Sequence, residues 1–115
     1  MKSGLDLYRQ NRLLTDDWRT LEAEVFRRVV FSLRQGHEAG GVELTKAIAD
    51  ARILWTAVRD LVSDDSNQLP PDLRQAIASL ARALLVEMDK PLPDIDVGFL
   101  ISATTNVAEG LEGKS

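Results

Sequence analysis

The chain offers few side chains whose type and spacing could support catalysis or metal binding. His37 is its only histidine and it has no cysteine, which excludes a thiolate nucleophile and a histidine-rich metal site. That histidine lies in the glycine-rich segment from Gly36 to Gly41, which predicts an exposed loop. We therefore expect no catalytic role for it.

Paired carboxylates could perform acid–base chemistry, and such pairs occur along the chain. They are Asp16 with Asp17, Asp64 with Asp65, and Asp94 with Asp96. Each pair lies at a predicted helix start or in a loop, where carboxylates cap helices and compensate the helix dipole. The chain also lacks the G-x-x-x-x-G-K pattern of a phosphate-binding loop. We expect no enzyme activity, no cofactor and no metal.

Cationic side chains are grouped on the predicted first helix, where Arg27, Arg28 and Arg34 lie close in sequence. Glu24 interrupts this group, and no aromatic side chains alternate with it as single-strand binding would require. The whole chain carries a net charge of −4, and residues 61–115 hold four basic against nine acidic residues. A solvated helix face is the favoured interpretation, and direct RNA binding is disfavoured.

The sequence shows no sign of membrane insertion. No run approaches the ~18 apolar residues of a membrane span, and the first residues lack the continuous apolar core of a secretory signal. The lack of cysteine agrees with a reducing compartment. We expect a soluble cytoplasmic protein without membrane contact.

The elements that carry these side chains are helices, because apolar residues recur at spacings of three and four. The predicted helices span residues 16–35, 42–63, 71–89 and 95–110, after an N-terminal arm of residues 1–14. With 115 residues, of which 44% are hydrophobic, the chain has the length of one domain. The expected fold is all-α, a small single-domain bundle of about four main helices.

Glycine and proline mark the predicted helix ends. Gly36 is expected to end the first helix. Pro70 moves the residue before it away from helical geometry, while Pro71 suits the first turn of the third helix. Asp94 or Asp96 can cap the last helix. The corner between the second and third helices is therefore strongly specified.

The apolar stripes predict which helix faces form the core. Trp55 lies within the stripe of the second helix and is expected to be buried. The third helix is apolar around most of its girth, which is typical of a central helix packed on several sides. The stripe of the first helix comprises Trp18, Leu21, Val25, Val29 and Leu33.

Some large apolar residues lie off these stripes and are candidates for partner binding. At 100° per residue, Phe31 points about 140° away from the stripe of the first helix, and Phe99 faces away from that of the last. Apolar side chains of this kind are either buried by a second neighbour or presented to a partner. The candidate partner-binding residues are Leu5, Leu7 and Tyr8 in the arm, Phe26, Val30 and Phe31 on the first helix, and Phe99 on the last.

Three segments of the chain resemble the flagellar biosynthesis regulator family FlaF. They are Arg52–Leu61, Asn67–Arg74 and Ile77–Leu80, in which a tryptophan and a proline-initiated helix fall at set positions. Weaker likeness on both sides extends the resemblance over nearly the whole chain, with departures at Leu13–Leu14 and Ala103–Thr105. We interpret the residues of the central motif as determinants of the fold: Leu54, Trp55, Asp60, Leu61, Leu69, Pro70, Leu73 and Arg74.

The resemblance implies a small cytoplasmic, non-enzymatic protein that is needed for flagellin production and export. It further implies direct binding of flagellin, as a secretion chaperone, and action with or against a regulator called FlbT in controlling flagellin translation. Two alternatives stay open. One is a post-transcriptional regulator that acts on flagellin mRNA directly or through FlbT, and the other is a helical homodimeric interaction module without a flagellar role.

Overall fold

The structure is a computed structural model that describes residues 23–66 and 69–112. Within these ranges the chain forms α-helices and one short 3-10 turn at Leu92–Asp94, without a strand, which confirms the all-α prediction. The predicted arm and the predicted start of the first helix lie outside the described residues. The helices are α1 (Ala23–Ala39), α2 (Gly41–Ser63), α3 (Pro71–Met88) and α4 (Val97–Leu111).

The junction of α1 and α2 differs from the prediction. Gly36 does not end α1, which continues to Ala39, and only Gly40 separates the two helices. Gly36 is buried, and a Cβ atom there would lie 2.8 Å from the Cα atom of Leu44. The predicted loop from Gly36 to Gly41 is therefore wrong, because Gly36 allows two helices to approach closely instead of stopping one.

The reversal of direction itself depends on the two glycines at the junction. Gly40 has φ +70° and Gly41 has φ +52°, a left-handed region that side chains with a Cβ disfavour. The amide of Gly40 donates a hydrogen bond of 2.8 Å to the carbonyl of Gly36, which satisfies one of the last carbonyls of α1.

The buried face of α1 is rotated from the predicted stripe. Phe26 is fully buried, whereas Val25 is 43% exposed. Trp18 and Leu21 of the predicted stripe lie outside the described residues, so only its second half can be compared. The buried residues of α1 are Phe26, Val29, Val30, Leu33 and Gly36, which recur at helical spacing.

Trp55 on α2 lies where three helices meet, as its position in the predicted stripe indicated. Its side chain is 1% exposed and contacts Phe26 of α1 edge to face, with ring centroids 6.0 Å apart. The indole Nε1–H donates to the hydroxyl of Thr104 on α4 at 3.2 Å, and that hydroxyl donates to the carbonyl of Leu100 at 2.7 Å. One polar link thus crosses an apolar core.

The central position predicted for α3 is wrong. Its closest packing is against α2, whereas α2 also packs closely against α1, and α1 against α4. Leu73 and Val86 of α3 are 44% and 65% exposed. α3 therefore carries more apolar surface than it buries. Its buried residues are Ile77, Ala81, Leu84, Leu85 and Met88.

The connection from α3 to α4 is fixed by two carboxylates. Glu87 accepts hydrogen bonds from the amide of Asp96 at 2.8 Å and from the ammonium of Lys90 at 3.0 Å. Asp96 caps α4, as predicted, by accepting from the amide of Phe99 at 3.0 Å. The short segment between these helices therefore has a defined path.

Candidate functional site

The structure separates the apolar residues that the sequence proposed for partner binding. Phe26 and Val30 are buried, so the assumption that they lie off the core face is wrong. Phe99 is partly buried against the core, and Phe31 is 63% exposed. The remaining candidates, Leu5, Leu7 and Tyr8, lie outside the described residues. Among the candidates in the described part of the chain, Phe31 is the most exposed.

Phe26 shows why the stripe alone misassigned these residues. The sequence offers two overlapping apolar rows on α1, one through Val25 and one through Phe26, and both have helical spacing. Packing against Trp55 selects the second row. An aromatic pair between helices cannot be read from the spacing within one helix, so this contact had no signal in the sequence.

Most residues of the central family-like motif lie in the core or at a helix boundary, as expected of residues that determine the fold. Leu54, Trp55 and Leu61 are buried on α2, and Leu69 packs partly against the core. Pro70 is the N-cap of α3, and the proline after it occupies the first turn. The exceptions are Leu73, which is 44% exposed, and Asp60, which pairs with Arg59 at the surface.

Arg74 fixes the corner between α2 and α3. Its guanidinium donates to the carbonyl of Val62, in the last turn of α2, at 3.1 Å and to that of Asp64, the C-cap, at 2.9 Å. The carboxylate of Asp64 in turn accepts from the hydroxyl and the amide of Ser66. These bonds, chiefly that of the hydroxyl, lower the pKa of Asp64.

A second arginine holds the other end of the same helix pair. Arg52 of α2 donates to the carboxylate of Asp89 at 2.6 Å and to the carbonyl of Met88 at 2.7 Å. A cation suits the C-terminal end of α3, where carbonyl groups lack partners. Arg52 and Arg74 therefore clamp α2 and α3 reciprocally, one from each helix.

Between these clamps the two antiparallel helices border one surface, which we call the α2–α3 seam. Its two rows have the spacing of a single helix face. At the corner end they border an open depression of about 230 Å³, lined in part by Ser63, Gln75 and Ala78. By helical spacing, the exposed and half-buried rows that continue from this depression are Arg52, Thr56, Arg59 and Ser63 on α2 and Gln75, Ser79, Arg82 and Val86 on α3.

The seam was not found from the sequence. Arg59 and Arg82 lie 23 positions apart on different helices, and each alone has the appearance of an ordinary solvated face. The clamps formed by Arg52 and Arg74 set the register of α2 against α3. A search for cations at equal helical positions on two antiparallel helices would have found it.

The arginines of α1 are largely engaged by carboxylates. Arg27 pairs with Glu112 beyond the end of α4, and this hydrogen bond raises the pKa of Arg27. Arg28 pairs with Glu24 at 2.9 Å, one turn earlier on the same helix. Both cations therefore already have a carboxylate partner within the fold.

Residues 23–66 and 69–112 contain neither a metal-type cluster nor a helix suited to span a membrane. No cluster of three or more histidine, cysteine, aspartate or glutamate residues there has the arrangement of a metal site. No helix within those ranges combines the length and the apolarity that crossing a membrane requires.

Comparison with known protein families relates this chain to a flagellar family. The model of the family described as flagellar protein FlaF matches residues 5–111, which includes α1 to α4 and the corner fixed by Arg74. Comparisons with curated proteins and with solved structures gave no significant match. Because the match extends over most of the chain, this protein belongs to the FlaF family of flagellar proteins.

Proposed function

We propose that this protein is a non-enzymatic, cytoplasmic chaperone for flagellin, which promotes flagellin synthesis and export. Membership of the FlaF family is the observation that carries the proposal. The protein would then act with or against the regulator FlbT in controlling flagellin translation, as the resemblance implies for the family.

The physical task of such a chaperone is to cover long amphipathic helices at the flagellin termini. A helix of this kind presents apolar anchors at i, i+3, i+4 and i+7, and a helical partner can bury them against its own apolar side chains. An exposed aromatic residue supplies much contact area for little loss of side-chain entropy. Phe31, which is 63% exposed on α1, has that character.

The test of partner identity is retrieval of the tagged protein from flagellated cells, followed by mass spectrometry and RNA analysis of the eluate. Flagellin enriched over an untagged control is the expected result. An eluate that contains flagellin mRNA but no flagellin would overturn the chaperone proposal in favour of the RNA-binding alternative. An eluate that contains FlbT but no flagellin would indicate that the protein acts through FlbT and does not bind flagellin directly.

The test of the surface compares Phe31→Ala with Ile53→Ala. Both side chains are exposed, at 63% and 71%, so neither change removes a core contact. We expect Phe31→Ala to weaken the binding of purified flagellin by about tenfold, which corresponds to roughly 1.4 kcal/mol. Ile53→Ala should leave the affinity within about twofold of the parent by isothermal titration calorimetry. Equal affinities for both variants would exclude Phe31 from the binding surface.

A further inference from the structure

An apolar row lies on α3 beside the face that this helix buries. It consists of Leu73, Ala76, Leu80 and Ala83, whose spacing of three and four residues places them on one side of the helix. Leu73 is 44% exposed, Ala76 and Ala83 are also exposed, and Leu80 packs partly against the core. Large and small side chains alternate along about 15 Å of helix, so this α3 row can interdigitate with the side chains of a second segment.

No described helix packs closely on the α3 row. Arg74 donates to the carbonyl of Val62 on α2, and Ala78 lines the depression beside Val62, so this side of α3 faces α2. At 100° per residue, the α3 row lies about 160° around the helix from that side. Among the described helices, α3 packs closely against α2 alone. The α3 row is therefore left for a segment outside residues 23–66 and 69–112, or for another molecule.

The start of α1 lies at the same end of the molecule as the start of α3. Gly36 lies against the first turns of α2, whereas Phe26 contacts Trp55 further along it, so α1 and α2 are antiparallel. The start of α1 therefore lies towards the end of α2, which Arg74 joins to the start of α3. The chain that precedes Ala23 thus enters α1 at the end where the α3 row begins.

We propose that residues 1–22 pack on the α3 row, so that the chain's own N-terminal segment covers the apolar side of α3. Its length is sufficient in any conformation. A segment of 22 residues spans about 33 Å as a helix and roughly 75 Å when extended, against about 15 Å for the row.

The composition of this segment suits an apolar surface. Its large apolar side chains gain free energy from burial, and they include Leu5, Leu7, Leu13, Leu14, Trp18 and Leu21. The family match begins at residue 5, so most of the segment belongs to the same family unit as α1 to α4. This placement does not depend on whether flagellin is the partner.

Covalent attachment favours the chain's own segment over a second copy of the protein. A segment tethered at Ala23 is present beside the α3 row at an effective concentration of about millimolar, whatever the concentration of the protein. A second copy must associate from solution and lose translational and rotational freedom. Residues 1–22 therefore cover the row even in dilute protein.

The experiment measures how fast single cysteines react with a thiol reagent, in a chain that has no native cysteine. Ala83→Cys probes the α3 row, and Ala49→Cys on α2 is the matched control, because the described residues leave both alanines exposed. We expect the thiol at position 83 to react about tenfold more slowly than the thiol at position 49, because residues 1–22 cover it. Equal rates in the full chain would overturn the proposal.

A second measurement identifies what covers the row. In the Ala83→Cys chain, the combined changes Leu5→Ser, Leu7→Ser, Leu13→Ser and Leu14→Ser should raise the reaction rate about fivefold, while the rate at position 49 stays within about twofold. No change at position 83 would contradict the proposal. Protection that a hundredfold dilution of the parent segment removes would assign the row to a second copy instead. Circular dichroism of each variant verifies that the helices are intact.

Discussion

At the scale of single residues, Thr104 is the polar side chain at the centre of an apolar core. It is fully buried, and its hydroxyl both accepts from Trp55 and donates to the carbonyl of Leu100. The adjacent Thr105 differs, because its buried hydroxyl has no hydrogen-bond partner. Two neighbouring threonines on one helix therefore have opposite energetic roles.

This contrast gives a prediction for a matched pair of substitutions. Thr104→Val leaves the Trp55 indole N–H buried without an acceptor, so the free energy of unfolding should fall by about 1–3 kcal/mol. Thr105→Val removes a hydroxyl that is already unpaired, so it should change stability by less than about 0.5 kcal/mol or increase it. Urea denaturation of both variants checks this, and similar losses at the two positions would contradict it.

At the scale of elements, the α1–α2 corner depends on how closely the two helices approach. The missing side chain of Gly36 creates the space, since a Cβ atom would also lie 3.0 Å from the carbonyl oxygen of Glu43 and 3.2 Å from the Cβ atom of Ala47. Two of the three nearest atoms belong to the backbone of α2. Relief of such a contact requires movement of a helix rather than of a side chain.

We expect Gly36→Ala to destabilise the protein by about 1–3 kcal/mol, because overpacking forces backbone shifts. The matched control is Gly110→Ala on α4, where nothing beyond the neighbouring residues and the local helix backbone lies within 4 Å of the added methyl group. Alanine has the higher helix propensity, so the control should gain up to about 0.5 kcal/mol. Thermal melts of both variants measure the difference, and a stabilising Gly36→Ala would refute the close approach.

The elements also show which features the sequence could predict. Pro70 and Pro71 correctly predicted the start of α3, because proline restricts the local backbone. The apolar stripe through Trp55 correctly predicted the buried face of α2, because helical periodicity is also a local property. The predicted end of α1 was wrong because a glycine can either end a helix or allow a second helix to approach closely. Only the neighbouring helix decides between these roles. The contacts of Arg52 with Asp89 and of Arg74 with Val62 could not be predicted, because inter-helix register depends on tertiary packing.

At the scale of the whole molecule, carboxylates stabilise both connections of α3. Asp64 orders the loop after α2, and Glu87 fixes the path to α4. The pKa of Glu87 is lowered, first by the hydrogen bond from the amide of Asp96 and then by that from Lys90. Because the folded state lowers these pKa values, both groups stabilise the fold above their unfolded values, about 3.9 for aspartate and 4.3 for glutamate.

The expected consequence is acid sensitivity that one substitution reduces. Stability should fall as the pH drops from about 5 through the lowered folded-state pKa values, where these carboxylates take up protons. Glu87→Gln should lower the melting temperature at pH 7 and approach the parent near pH 3, while Glu38→Gln, at an exposed site on α1, should follow the parent throughout. Melting temperatures by circular dichroism provide the test, and parallel curves for Glu87→Gln and the parent would refute the role of Glu87.

The position of Trp55 gives the protein an internal optical probe. The chain has two tryptophans, Trp18 and Trp55, so a Trp18→Phe variant leaves Trp55 as its only indole fluorophore. That indole is 1% exposed and hydrogen-bonded to α4, so its emission should be blue-shifted while α4 is docked and shift to longer wavelength when α4 leaves. A partner that remodels the core would change this spectrum, whereas a partner that contacts only exposed side chains would not.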